Sequence, residues 1–182
     1  MKAQLQLLCL ALGVTPAGWG QTQGLTPAWD IRQTLQDLVK QSQLITPILD
    51  ELKPADWIAK GASETYIEQH KSVRAEIVYL RSLADELMQK PDSLPAALQM
   101  FLRLQNLEAL LESMSQGVRR YQNPALADLM QATISENDSH GVRLREYLIE
   151  LAETREAEFR IADEEAQRCR GSIIRQPKKS KK

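Results

Sequence analysis

Three consecutive segments of this 182-residue chain place apolar side chains at alternating spacings of three and four. No other feature narrows the fold so sharply. The first segment runs Ile31, Leu35, Leu38, Ser42, Ile45, Leu49, Leu52, and the second Tyr66, His70, Val73, Ile77, Leu80, Ala84, Leu87. The third runs Met100, Leu104, Leu107, Leu111, Met114, Val118, Tyr121. An α-helix turns once in 3.6 residues, so positions three and four apart share a face. An apolar face of that period is best hidden against other helices. Composition points the same way: apolar residues make up 43% and charged residues 26%, as in a folded globular protein, while aromatics are only 5% and Gly and Pro number eight each. Few rings and few turn residues favour long helices over sheets. The length suits one domain with a real core.

Local punctuation sets the expected boundaries. Thr26-Pro27 opens the first helix with a hydroxyl cap and a proline at the first helical position. Pro47 removes one backbone hydrogen bond, which predicts a kink near Gln43 to Pro47, while the seam keeps its phase through to Leu52. Lys53-Pro54 closes the segment, and a short turn carrying Trp57 is expected before Gly61. Ser63 starts the second helix and Lys90-Pro91 ends it; Ser93 caps the third, which runs to Tyr121-Gln122. Asn123-Pro124 then opens a fourth. Connections this short favour neighbours that run in opposite directions.

The fourth helix poses the main question. Asn137-Asp138-Ser139-His140-Gly141 has the composition of a turn. Yet Leu126, Asn137, Leu148 and Phe159 recur every eleven residues, which is three helical turns. The flanking stripe of Met130, Ile134, Leu144, Leu148 and Leu151 stays in register through the gap. One helix from Pro124 to about Arg170 is therefore expected. The first three helices, of about 26 residues, would span ~39 Å, so the fourth matches them to about Glu150 and its last twenty residues project ~30 Å beyond. That projection carries Leu151, Phe159, Ala162, Ala166 and Cys169 as a thin stripe, together with eight acids from Glu146 to Glu165. The stripe is expected to meet a protein partner or a second copy of the chain.

The two ends differ from the middle. Lys2, the apolar run Leu5 to Val14 and the small residues Gly18 and Gly20 have the layout of a signal peptide over residues 1–20, which implies export to a periplasmic or extracellular space. No stretch reaches the ~20 apolar residues of a transmembrane helix. Cleavage would leave Cys169 as a lone thiol, either free or bridging two chains. From Arg168 onward there are seven basic residues and no acid, whereas Gln21 to Gln167 holds 15 basic and 24 acidic residues. The tail, residues 171–182, is expected to be disordered and able to contact an anionic surface or polymer.

No constellation in the sequence calls for catalysis, a metal or a cofactor. His70 lies on the seam of the second helix, where a histidine bonded to a neighbouring helix is the simple meaning and a metal or small-molecule site the other. His140, the second histidine, falls in the middle of the fourth helix, whereas His70 lies opposite its start, and no Glu-x-x-His pair supports a dimetal site. Helix lengths place Ser42, Ile77, Leu111 and Asn137 in one cross-section. Ser42 and Asn137, with His70, would then form a polar layer that sets the pairing of helices. Trp29 and Trp57 are expected at the ends of the core. The sequence thus predicts an all-α, antiparallel up-and-down four-helix bundle over residues 21–170, coiled-coil-like in its seams, with an interaction or structural role and a long last helix.

Overall fold

The computed structural model describes residues 28–175, and the side chains of all of these except 28, 29, 136–138 and 175. Every regular element among the described residues is an α-helix. Residues 1–20, Trp29 and the segment 176–182 lie outside the described positions or side chains.

Helix α1, Ala28–Leu44, leads into α2, Thr46–Asp50. Pro47 has no N–H to give to Gln43, and the break falls at Ile45. The backbone there is still helical, with φ −74° and ψ −20°, and Leu49 N donates to Ile45 O at 3.0 Å. Ile45, Ile48, Leu49 and Leu52 consequently all stay on the buried side. Helix α3, Pro54–Ile58, is one turn long. Gly61 ends it at φ +89°, where Gly61 N donates to Ile58 O at 2.9 Å and Ala62 N to Trp57 O at 3.0 Å. This paired closure needs a left-handed residue, which glycine supplies without strain.

Helices α4, Thr65–Gln89, α5, Leu94–Tyr121, and α6, Pro124–Arg175, make up the rest. Ser93 Oγ accepts from Ala96 N at the start of α5, and Asn123 Oδ1 accepts from Ala125 N at 2.9 Å at the start of α6. Both caps satisfy an N–H that has no partner inside the helix.

Helix α5 packs along α4 and α6, and α1 packs along the same two. Contacts that climb α4 descend α5: Tyr66 meets Gly117, Gln69 meets Ser113, and Glu76 meets Arg103. Between α5 and α6 the order is Arg119 with Asp128, Ser115 with Ala127 O, and Leu104 and Glu108 with Gly141. The common interior is filled by Leu35, Leu38, Leu49, Leu80, Leu87, Met100, Leu107, Met114 and Met130, all essentially inaccessible. Each such side chain contributes about 1.5–3 kcal/mol by leaving water.

An aromatic cluster closes one end. Trp57 and Tyr66 meet edge to face at 5.4 Å, and Tyr66 and Tyr121 at 6.2 Å. Gly117 lets them approach α5, since a Cβ there would lie 2.8 Å from Tyr66 Cε1 and 3.0 Å from Trp57 Cζ3. Gln122 ties the same end together: its Oε1 accepts from Lys53 N at 3.0 Å and Trp57 Nε1 at 2.9 Å, and its Nε2 donates to Glu51 O at 2.8 Å.

Two expectations need correction here. Helix α6 passes through 137–141 without a break but ends at Arg175 rather than about Arg170, so residues 171–175 are helical and do not belong to a disordered tail. Ser172 Oγ donates to Cys169 O at 2.7 Å, and the arginines near this C-terminus favour the helix dipole. The departure of α6 from its neighbours also comes after Glu150. Tyr147 Oη donates to Pro91 O. Arg155 Nη2 donates to Asp92 O at 2.8 Å and pairs with Asp92 Oδ2 at 2.7 Å. The connection between α4 and α5 therefore holds α6 for one further turn.

Candidate interaction surface

The face that α6 buries can be followed along its length. Ala127, Met130, Ile134, Leu144, Tyr147 and Leu151 are all buried against the other helices. Eleven residues are close to three turns, so the same face returns at Arg155, Glu158 and Ala162, and again at Ala166, Cys169 and Ile173. Arg155 still touches the α4–α5 connection. Every described side chain from Glu158 to Arg170 is exposed. From Arg155 to Arg175 the helix advances about 30 Å.

Large apolar groups lie on this extension in water: Phe159 is 75% exposed, Ile161 56%, Ile173 64% and Ile174 82%. Cys169 is a free, exposed thiol. Phe159, Ala162, Ala166, Cys169 and Ile173 follow the three-and-four rhythm, the spacing of a two-helix seam. Leu151, expected on this stripe, is instead 1% exposed: the grip of Tyr147 and Arg155 on the α4–α5 connection keeps that turn inside the core. Ile173 was missed because the basic composition after Arg168 read as a tail, although its position four residues after Cys169 continues the rhythm.

Charge divides the extension in two. Residues 156–165 hold five acids and one arginine, whereas residues 166–175 hold three arginines and no acid. Arg155 pairs with Glu158 at 2.7 Å, and Arg168 lies 3.6 Å from Glu164. Asp163, Glu165 and Arg170 have no side-chain partner among the described residues. Glu158 first and Asp92 next hold the Arg155 guanidinium in its charged form.

Ser42 and His70 do not share one layer. Ser42 is buried, but its Oγ donates to Val39 O of its own helix at 2.8 Å. His70 reaches a different level, where its Nε2 bonds Leu49 O at 2.8 Å, a carbonyl near the end of α2. Arg74 supports the same end by pairing with Asp50 at 2.5 Å. The side chain of Asn137 lies outside those described. His140 is partly buried, with Nδ1 enclosed and unpartnered. Among the described residues no group of three His, Cys, Asp or Glu side chains could hold a metal ion, and no helix is long and apolar enough to cross a membrane.

Sequence reasoning also missed a polar contact and a groove. Glu76, buried on α4, accepts on Oε1 from Arg103 at 2.8 Å and Asn106 at 3.1 Å, joining α4 to α5. Spacing within α4 gives no sign of it, because all its partners belong to another helix. A groove of about 350 Å³ between α5 and α6 is lined by Phe101, Leu104, Gln105, Glu108, Gly141, Val142 and Arg145. Gly141 opens it by leaving no side chain between Leu104 and Glu108.

No family model matches the chain, and neither a curated protein nor a solved structure matches it.

Proposed function

We propose that this chain is an exported helical interaction module without catalytic activity of its own. Its body is an antiparallel up-and-down four-helix bundle of α1–α2, α4, α5 and the first thirty or so residues of α6. The order of contacts between α4 and α5 and between α5 and α6 supports that arrangement. The far part of α6 is the contact element, and a second copy of the chain is its occupant. One observation carries this reading: the face that α6 buries in the body continues uncovered from Phe159 to Ile173, with side chains as large as Phe and Ile left in water. Exposed apolar stripes of that kind mark interaction sites in folded proteins.

Sedimentation equilibrium of the full chain and of a chain ending at Glu158 tests the proposal. The full chain should weigh as a dimer or larger at micromolar concentration. The shortened one should be a monomer with an unchanged melting midpoint, because it keeps Arg155, Glu158 and the whole buried face. A full chain that stays monomeric at 100 μM contradicts the reading. Export is tested separately, by mass spectrometry of the protein recovered outside the inner membrane, which should begin at or near Gln21.

A further inference from the structure

Resting on that self-association, we infer that two copies of the α6 extension lie side by side in opposite directions, set by the division of charge along the helix. A pairing in the same direction lays the acidic stretch 156–165 on its own copy. In such a seam Glu158 of one helix flanks Asp163 of the other, a like-charge pair that offsets the favourable contact of Glu165 with Arg170 one heptad on. Reversing one helix puts the acidic stretch of each copy against the arginines of the other.

The stripe accepts that reversal in one register. Ile173 of one copy covers Ala162 of the second, and Cys169 covers Ala166, while Phe159 lies at the outer edge of the overlap. Arg170 then flanks Asp163 of the second copy, and the twofold axis repeats the pair. Neither residue has a side-chain partner among the described residues, so neither gives up an ion pair there. The helix is already formed by its continuity with the body, and the nucleation cost that defeats short isolated helices does not arise. Small residues at the centre let the two backbones approach closely.

Spin labels read the direction. In the full chain with Cys9→Ala and Cys169→Ala, single cysteines are introduced as Arg160→Cys or Gln167→Cys, seven residues apart on the same outer side of the helix. Opposite directions place the two labels at 160 farther apart than those at 167, by roughly 10–15 Å at 1.5 Å per residue. Equal separations at the two positions overturn the inference and leave self-association standing. A monomeric mass for the labelled samples overturns both.

Charge reversal provides a second readout with opposite signs. With opposed helices, Asp163→Arg faces Arg170 and weakens the dimer roughly two- to tenfold, and adding Arg170→Asp restores it. With helices in the same direction, Asp163→Arg faces Glu158 and tightens the dimer, which would refute the arrangement.

Discussion

At Gly117 the absence of one methyl group decides how an end of the core is built. An added Cβ would lie 2.8 Å from Tyr66 and 3.0 Å from Trp57, and both are rigid rings that cannot fold away. Overpacking of this sort costs about 1–3 kcal/mol, against at most about 1 kcal/mol gained from the better helix propensity of alanine. Gly117→Ala should therefore lower stability by about 1–2 kcal/mol in urea unfolding; a neutral or stabilising result would show that the cluster yields. Tyr147 supplies a pH-dependent counterpart. Burial first, and Asp92 next, raise its phenol above the ordinary value of 10.0. The unfolded chain then releases that proton at lower pH than the folded one, so this contribution is complete below about pH 10 and fades as pH rises further. Tyr147→Phe loses the hydrogen bond to Pro91 O and should cost about 0.5–1.5 kcal/mol at neutral pH. The gap between the two proteins should narrow above pH 10 in denaturation curves. None of this is legible from residue types alone. Gly117 reads as a weak point in a helix and Tyr147 as one more ring, because the atoms that give them meaning come from α3, α4 and the α4–α5 connection.

Elements are far easier to read. The rhythm from Ile31 to Leu52 survives Pro47 because the break at Ile45 keeps helical torsions, so phase is preserved although one hydrogen bond is lost. The run Asn137 to Gly141 has the composition of a turn but stays helical. Propensity costs of about 0.5–1 kcal/mol per residue are outweighed where flanking residues such as Ile134 and Leu144 must remain on one buried face. Pro124 and Asn123 marked the start of α6 correctly, since cap chemistry is local. Its end lies five residues beyond the expected one, because the apolar spacing continues to Ile173 through the basic residues that resemble a tail by composition. Gln122 shows what local reading misses at this scale. It occupies the end of α5, yet its side chain binds Glu51, Lys53 and Trp57. Gln122→Ala would leave the buried Trp57 N–H without a partner and should destabilise the protein by about 2–4 kcal/mol. Trp57, released from its pocket, should show red-shifted fluorescence before global unfolding. Unchanged stability would mean that the α2–α3 connection does not depend on this bridge.

For the molecule as a whole, the sequence foretold helices, their order and a last helix longer than the rest. It did not foretell where that helix parts from its neighbours. The hold of Tyr147 and Arg155 on Pro91 and Asp92 joins residues more than fifty positions apart, and it moves Leu151 from the expected contact stripe into the core. What remains outside is a rod with one apolar side and two oppositely charged halves, attached to a body whose polar groups serve packing. The most direct test of the contact role is Ala166→Glu, followed by sedimentation velocity over a dilution series. Position 166 is exposed and lies beyond the last contact of α6 with the body, so the monomer should melt as before. The account predicts that a charge at the middle of the stripe abolishes the dimer at concentrations where the unaltered chain associates. An Ala166→Glu protein that dimerises with undiminished affinity would contradict it.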